Sequence, residues 1–313
     1  MGSVMVTPAR SKSVVVTGAS TGLGRVAAAH LASLGYRVFA GVRTESSAAE
    51  LSQTPLSRGE IIPVLMDVTD ANSIARAGQL IAHGCSTTGL WAVVNNAGIA
   101  IGGPLECVPM DLLRTQLETN VVGTVAVSQC LLPLLRASGG RIINVSSGIA
   151  NIALPYGAPY AAAQFAKEGL SDALRRELGP LGVSVSVIQP GAVLTPLWDK
   201  LRRSSDEVLA AAPADVVDTY RVRFEAFRKM SDGLLATSKT TTADFAEAVA
   251  AALAAKRPKA RYRVGIDSRA GAFARRVATD RMMDALLALG YRASVRKSLA
   301  PRPAGHWRHR ESS

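Results

Sequence analysis

Residues 13–24 read Ser-Val-Val-Val-Thr-Gly-Ala-Ser-Thr-Gly-Leu-Gly, a short β-branched run that leads directly into a glycine cluster. Residues 25–34 have a helical composition, so the stretch predicts a strand, a tight turn and a helix. Glycines in such a turn let backbone N–H groups and the positive helix end approach a pyrophosphate. Other tight turns use glycine too, but this position between a first strand and a first helix predicts a dinucleotide site.

Short apolar runs alternate with longer helical segments along the rest of the chain. Continuous apolar strands separated by helices predict a parallel sheet covered on both faces, the doubly wound arrangement. Such sheets bind ligands outside the carboxyl ends of their strands. The predicted strands are 13–17, 37–40, 61–66, 91–95, 141–146, 183–189 and 262–265.

The chain has 313 residues and a hydrophobic content of 48%. This is material for one large α/β domain with little left for a second. We therefore expect a flexible N-terminus at 1–12, one Rossmann-like domain at 13–292 and a basic, disordered tail at 293–313. Within the domain we expect a lid at about 195–240 and a C-terminal helical extension at 266–292.

The cysteines and histidines point to no metal site or disulfide. Cys85, Cys107 and Cys130 are odd in number and widely spaced, which favours a reducing, cytoplasmic compartment. His306 and His309 have no third ligand nearby. No signal peptide is evident and no stretch approaches the ~20 apolar residues of a membrane span. We expect a soluble chain, or one attached to a membrane only peripherally.

The net charge of +12 is concentrated at the C-terminus. From residue 256 onward there are 15 Lys and Arg against 4 Asp and Glu, so +11 of the charge lies there. Residues 269–289 predict one basic amphipathic helix. That helix has three interpretations: a solvated face on its own domain, a contact with an anionic membrane, or a nucleic-acid site. No aromatic residues interleave the basic ones as base stacking would need, so we expect no nucleic acid.

The three-residue interval between Gly18 and Gly22 resembles the short-chain dehydrogenase/reductase family, and further motifs in the family's order extend the resemblance over about residues 12–292. Ser147 lies thirteen residues before Tyr160, which is the family's usual Ser–Tyr interval, so the resemblance implies the catalytic role for Ser147 over Ser146. The resemblance implies the catalytic residues Asn120, Ser147 and Tyr160. It implies cofactor contacts at Gly18, Ser20, Thr21, Gly22, Leu23, Gly24, Asp67, Val68, Asn96, Ala97, Gly98, Gln164, Pro190, Gly191, Val193 and Thr195.

The family resemblance also implies the reaction. Tyr160 exchanges a proton with the carbonyl or alcohol oxygen, Ser147 stabilises the developing alkoxide, and Asn120 supports a file of water. Residues 260–265 and the helix after them resemble longer members that act on steroids, retinoids or other lipophilic carbonyls. Family members are commonly dimers or tetramers. We therefore expect an oxidoreductase of small carbonyl or alcohol substrates, working as a homodimer or homotetramer.

The end of the second strand indicates the cofactor. An acidic residue there would bind the ribose 2′-hydroxyl of NAD(H) and repel a 2′-phosphate. This chain has Val42 at that position and Arg43 beside it, and a guanidinium matches phosphate geometry. The sequence therefore favours NADP(H), with NAD(H) as the alternative if Arg43 is only a solvated loop residue.

One position departs from the family pattern. Gln164 stands four residues after Tyr160, where the family has a lysine that lowers the pKa of the tyrosine and binds the nicotinamide ribose. A glutamine serves only the second purpose. Lys167 lies on nearly the same helical face, ~10 Å along the axis. It either reaches back toward Tyr160, pairs with a carboxylate such as Glu168 or Asp172, or faces solvent.

The departure leaves three functions open. The first is a working enzyme, slowed or not, that is an NADP(H)-dependent reductase or dehydrogenase of lipophilic carbonyls or alcohols. The second is a catalytically silent NADP(H)-binding protein with a regulatory role. The third is a peripheral membrane protein whose basic C-terminal helix is the functional part.

Overall fold

The computed structural model describes residues 12–55, 58–85 and 89–299 of the chain, with the backbone alone at 290 and 292–299. Seven strands form one sheet in the order β3-β2-β1-β4-β5-β6-β7, and every neighbouring pair is parallel. The predicted doubly wound α/β fold is thereby confirmed. The strands are β1 (Ser13–Val16), β2 (Arg37–Val42), β3 (Glu60–Leu65), β4 (Leu90–Asn95), β5 (Arg141–Val145), β6 (Ser184–Pro190) and β7 (Arg261–Val264).

Helices cover both faces of the sheet. One face packs mainly on α1 and α9, and the other on α3, α5 and α6. The central strands are buried on both sides, which is why they read as uninterrupted apolar runs. The helices are α1 (Gly22–Ser33), α2 (Glu45–Ser52), α3 (Ala71–Gly84), α4 (Met110–Leu117), α5 (Gly123–Ser138), α6 (Ala158–Leu178), α7 (Pro196–Ala211), α8 (Ala214–Thr237), α9 (Thr242–Ala254), α10 (Ile266–Val277) and α11 (Asp280–Leu299).

The strand order reverses between β1 and β4. Chain connections leave in opposite directions from these neighbouring strands, so a crevice opens at their carboxyl ends. Thr17 follows β1, and its N–H donates to the Val94 carbonyl of β4 at 3.0 Å. The glycine cluster therefore lies at the mouth of this crevice.

A π-helical segment, Glu118–Val122, joins α4 and α5 into one long helix. By length and composition alone this helix, Met110–Ser138, could cross a membrane, and an 18-residue window within it has a mean hydropathy of 1.4. The sequence alone predicts no stretch of this kind. Its Asn120, Thr124 and Ser128 side chains are buried and hydrogen-bonded within the domain, so we interpret it as a helix of the α/β domain.

The C-terminal region differs from the prediction in two respects. Residues 269–289 are not one helix, because α10 ends at Val277 and α11 begins at Asp280. The second helix continues to Leu299, so residues 293–299 are helical where a tail was predicted. The proposed flexible N-terminus, except for residue 12, and the tail from residue 300, with His306 and His309, lie outside the described residues.

Candidate active site

The turn after β1 is held by side chains from the turn after β4. The Thr17 Oγ1 accepts hydrogen bonds from the Asn96 and Ala97 N–H groups, both at 3.0 Å. The Asn96 Nδ2 in turn donates to the carbonyls of Thr17 and Gly18, at 2.9 and 3.2 Å. The side-chain Nδ2 of Asn96 thus holds the backbone of the glycine turn in place.

Two glycines in this turn have no room for a side chain. Gly18 has a φ of +64°, and a Cβ there would lie 2.8 Å from the Ala97 Cα. A Cβ on Gly24 would clash with the Gly18 carbonyl oxygen and with Asn96. The backbone thus stays bare at the N-terminus of α1, where N–H groups and the helix dipole favour a phosphate. Ser20, Thr21, Gly22 and Leu23 lie in the same turn and are partly or fully exposed.

Arg43 and Asp67 lie together at the carboxyl ends of β2 and β3. Arg43 is exposed, whereas Val42 before it is buried. Burial raises the pKa of Asp67, but hydrogen bonds from the Thr69 N–H and hydroxyl and the charge of Arg43 outweigh that effect. The pKa of Asp67 is therefore held below its usual value. The carboxyl ends of β2 and β3, predicted to bind the adenosine, thus carry the exposed Arg43 guanidinium beside the ionised Asp67 carboxylate.

Tyr160 and Ser147 meet at the carboxyl end of β5. Tyr160 lies in the first turn of α6, and Ser147 follows the strand directly. Burial raises the pKa of Tyr160, and hydrogen bonds from Ser147 and Gln164 offset part of the rise. The neighbouring Ser146 is turned away, because its hydroxyl donates to Glu168 Oε1 at 2.5 Å. The structure thus brings Ser147, and not Ser146, to the phenol.

Gln164 is almost fully buried beside Tyr160, with 4% of its surface exposed. Its hydrogen bond lowers the pKa of the phenol, as a donor does, so the Nε2 amino group faces the phenolic oxygen. Among the described residues its Oε1 has no hydrogen-bond partner. A buried acceptor without a partner is costly, and a hydroxyl group of a bound ligand would satisfy it.

Asn120 lies in the π-helical segment and is fully buried. Its Oδ1 accepts from the Ile99 N–H and its Nδ2 donates to the Ile99 carbonyl, both at 2.9 Å. The Asn120 side chain therefore fixes the backbone at Ile99, directly after Gly98. The predicted Asn120 is in the site region, but its side chain contacts the backbone of Ile99 rather than Tyr160 or Ser147.

The position of Lys167 contradicts two of the three placements that the sequence left open. It neither faces solvent nor pairs with a carboxylate within the described residues: it is 1% exposed, and its Nζ donates to the Val145 carbonyl at 3.0 Å. Burial lowers the pKa of Lys167 from 10.5 to about 8. The helical period placed this lysine on the correct face, but it could not show that the face is buried.

Glu168 is a site residue whose role the sequence did not reveal. Its Oε1 accepts from Ser146 and from Gln189 Nε2, and its Oε2 accepts from Arg261 at 2.8 Å. These bonds tie α6 to β5, β6 and β7 beside the catalytic pair. The one available signal was its spacing of eight residues from Tyr160, which returns to the same helical face.

Residues 190–195 are fixed by the C-terminal extension. The Gly191 N–H donates to the Val264 carbonyl at 2.8 Å, and the Ala192 N–H donates to Asp267 Oδ2 at 2.6 Å. Gly191 leaves no space for a Cβ against the Asp267 carboxylate. Val193 is buried, and Thr195 precedes α7. Asp267 lies 75 residues from its partner, and no local pattern predicts such a contact.

Aromatic side chains form a wall between the active-site loop and the lid. Tyr156 has a φ of 62°, and its ring lies 5.2 Å from Phe224 and 5.3 Å from Phe227, both on α8. Its hydroxyl is 3.3 Å from that of Tyr291 on α11. The predicted lid is therefore two helices, α7 and α8, braced against the loop that leads to Tyr160.

Comparison with known proteins identifies the family. The short chain dehydrogenase family model matches residues 12–206. The chain belongs to the short chain dehydrogenase family. The predicted family is confirmed, and the protein is an oxidoreductase of the dehydrogenase/reductase type.

Individual members of the family resemble this chain over most of its length. The 3-amino-tetrahydro-pyrrolizinone reductase of Xenorhabdus hominickii is 41% identical over 258 residues, which cover 82% of this chain and 88% of the reductase. The 17-beta-hydroxysteroid dehydrogenase type 6 of Bos taurus is 35% identical over 269 residues, covering 84% of each. A short chain dehydrogenase from Burkholderia cenocepacia, solved in complex with NADP, is 26% identical with a TM-score of 0.64, and the match covers 93% of this chain and 98% of that one.

The buried charge of Lys167 predicts a pH dependence of stability. Its pKa is about 8 in the folded protein against 10.5 for the free side chain, so between these values the unfolded chain holds a proton that the folded one lacks. The free energy of unfolding should therefore rise with pH through this window, by up to roughly 3 kcal/mol relative to Lys167→Met. Urea unfolding at several pH values measures the difference. The exposed Lys256→Met is the control and should show no such trend; a constant difference for Lys167→Met would contradict the prediction.

Proposed function

We propose that this protein is an NADP(H)-dependent reductase of lipophilic carbonyl compounds, in which Tyr160 is the proton donor and Ser147 stabilises the oxyanion. The observation that carries the proposal is the contact between Tyr160 and Ser147 at the carboxyl edge of the sheet, on the same edge as the bare glycine turn. Asn120 has a supporting role, since it clamps Ile99 at the edge of the site.

The residues present fit a nicotinamide dinucleotide. The turn of residues 18–24 would hold the pyrophosphate, Asp67 and Val68 would border the adenine, and residues 96–98 would close over the cofactor. Pro190, Gly191, Val193 and Thr195 would meet the carboxamide. The unpartnered Gln164 Oε1 suits a ribose hydroxyl, which would donate to it. When bound, the reduced cofactor supplies the hydride.

Tyr160 is suited to donate a proton. Its pKa is raised above the ordinary value of a phenol, so it is neutral at pH 7 and its O–H can protonate a carbonyl oxygen. Ser147 donates a hydrogen bond to the charge that forms on that oxygen. Alcohol oxidation would start from the ionised phenol, which is at most about 0.1% of the population at pH 7. Saturated rates should therefore favour reduction, although the two catalytic efficiencies stay linked by the reaction equilibrium.

The aromatic side chains before Tyr160 and on α8 support a lipophilic substrate. Tyr156 and Phe227 are partly exposed, and the buried Phe224 packs against Tyr156. Partly exposed aromatic rings suit flat or ring-shaped apolar molecules. Two relatives are named for a steroid and a bicyclic pyrrolizinone, which supports a ring-containing carbonyl. A panel of cyclic ketones with NADPH tests the function. A catalytically silent protein, the second candidate, would show thermal stabilisation by NADPH and no turnover of the panel.

NADP(H) is the proposed cofactor because of Arg43. It is exposed beside Asp67, and Val42 offers no acid to the ribose 2′-hydroxyl. The related structure from Burkholderia cenocepacia contains NADP, which supports the same preference. A homodimer or homotetramer and a cytoplasmic location stay predictions; light scattering of the purified protein tests the first.

Gln164→Lys should raise activity at least about tenfold. A cation at this position would lower the pKa of Tyr160, and two to three pKa units set an upper bound of about a hundred- to a thousandfold. The alkaline limb of the pH profile for kcat/KM should also move to lower pH. Both forms are assayed by NADPH oxidation with the same ketones. Equal rates and superimposable profiles would show that Gln164 is no defect.

Arg43→Glu should weaken NADPH binding by at least about tenfold, or about 1.4 kcal/mol, and change NADH binding much less. The carboxylate would repel the 2′-phosphate, which NADH lacks. Fluorescence titration with each reduced cofactor measures the two affinities. Arg58→Glu is the matched control, because Arg58 is an exposed arginine before the amino end of β3, at the opposite edge of the sheet. Equal losses for NADPH and NADH would contradict the proposal.

A membrane-surface role is favoured by the exposed face of the C-terminal helices. Ile266, Phe273 and Val277 form one stripe on α10, with 77%, 66% and 61% of their surfaces exposed. Met282, Leu286 and Leu289 form a second stripe on α11, and basic residues flank both. Such a face suits an anionic lipid surface.

Phe273→Asp combined with Leu286→Asp should abolish binding to anionic vesicles if this role is correct. The charges would lie on the two exposed stripes and leave the packed side of α11, which includes the buried Met283, unchanged. Co-sedimentation with vesicles of phosphatidylserine and phosphatidylcholine measures binding, and pure phosphatidylcholine vesicles are the control. A wild-type protein that stays in the supernatant with both lipids would exclude the role.

A further inference from the structure

Lys167 is a buried cation that has no role in the proposed reaction as described above. Among the described residues no carboxylate lies within 4 Å of its Nζ, and its one hydrogen bond goes to the Val145 carbonyl. The nearest charged cluster is self-contained, because Arg261 pairs with Glu168 at 2.8 Å and with Asp172 at 3.0 Å. A buried ammonium with no counter-charge is expensive to keep, which favours a function for it.

The Lys167 ammonium and the Tyr160–Ser147 pair lie at the same end of β5. Tyr160, Gln164 and Lys167 lie on one face of α6, at helical positions i, i+4 and i+7. Tyr160 contacts Ser147, and Lys167 contacts Val145, two residues earlier on the same segment. Both side chains therefore end at the junction between β5 and the turn that carries Ser147. Helical side chains lean toward the N-terminus, which directs the lysine toward Tyr160.

We propose that Lys167 is a positioning residue that supplies, from inside the α6–β5 interface, the positive charge that Gln164 lacks. The inference rests on the proposed function. Lys167 acts on Tyr160 through its electric field and through the Val145 carbonyl, without touching the substrate.

The physical argument concerns the charge on the phenol. As Tyr160 gives its proton to the carbonyl oxygen, negative charge develops on the phenolic oxygen. An ammonium in the same water-poor interface stabilises that charge over a longer distance than it would in solvent. Over about 10 Å at an effective dielectric constant of about 20, the effect is on the order of tenfold in rate.

The neighbours of Lys167 decide when the charge is present. The charged groups of the adjoining polar cluster are Glu168 and Asp172 on the same helix and Arg261 on β7, and Arg261 pairs with both carboxylates. The buried polar residues of the π-helical segment and α5 are neutral: Asn120, Thr124 and Ser128. Arg141, on β5, is occupied at the far end of the strand by the Ala252 and Ala255 carbonyls. With a pKa of about 8, Lys167 is charged at neutral pH and loses its charge above that value.

The test is the pH profile of ketone reduction by Lys167→Met. At about pH 6.5 the variant should be about tenfold slower in kcat/KM, because the wild type still holds the charge. Above about pH 9 the two should be equal, since Lys167 is then neutral. A loss of the same size at every pH would mean that the lysine only supports the fold, and no loss would mean that it does nothing; either overturns the inference. Lys256→Met, an exposed control, should match the wild type throughout.

A second measurement needs no turnover. Tyr160→Glu places a permanent negative charge where the phenolate forms, and Tyr160→Gln is its neutral match. The pKa of Lys167, followed by NMR of ¹³C-labelled lysine and assigned by its loss in Lys167→Met, should be about one unit higher in the Glu form. Equal values would overturn the inference. Absence of NADPH oxidation by the wild type, with this difference intact, would count against the proposed function alone.

Discussion

Helix α6 packs against strand β5 through polar side chains, and this contact positions the groups that would react. Ser171 accepts from Asn144, whose Oδ1 accepts in turn from Asn95 on β4. Glu168 binds Ser146 and Lys167 binds Val145, so successive residues of the strand end are each held by the helix. Tyr160 and Ser147 come last in this series. Buried polar contacts of this kind specify one register, because a slip would leave each group unpaired.

This interface explains how the protein can have Gln164 in place of the family's lysine and still keep the arrangement of Tyr160 and Ser147. Gln164 keeps a donor toward the phenol and a free acceptor beside it, so both its hydrogen-bonding roles can be filled without a charge. The charge appears three residues later, on Lys167, at a position that contacts the same strand end. Because the ammonium has no counter-charge among the residues that the structure describes, stability and activity should respond to pH through the same group.

The sheet and the order of the site motifs were predictable because both depend on residues that are close together in the sequence. The β-branched runs gave all seven strands, and the glycine turn, Ser147 and Tyr160 lie at the carboxyl edge that a parallel sheet requires. The sequence pattern could not show how deeply a side chain is buried or which distant residues it contacts. Periodicity assigned Lys167 to a face without showing its burial, and the partners of Asp267 and Arg261 lie 75 and 93 residues away. The break between α10 and α11, at Ala278 and Thr279, has neither glycine nor proline to mark it.

The central claim is that Tyr160 still donates a proton in this site. It is tested most directly by the rate of NADPH oxidation with one ketone that the wild type reduces, compared between the wild type and Tyr160→Phe, with NADPH affinity measured for both. The account predicts that the Phe form binds NADPH as the wild type does and reduces the ketone at least about a hundredfold more slowly. Equal rates in the two forms would contradict it.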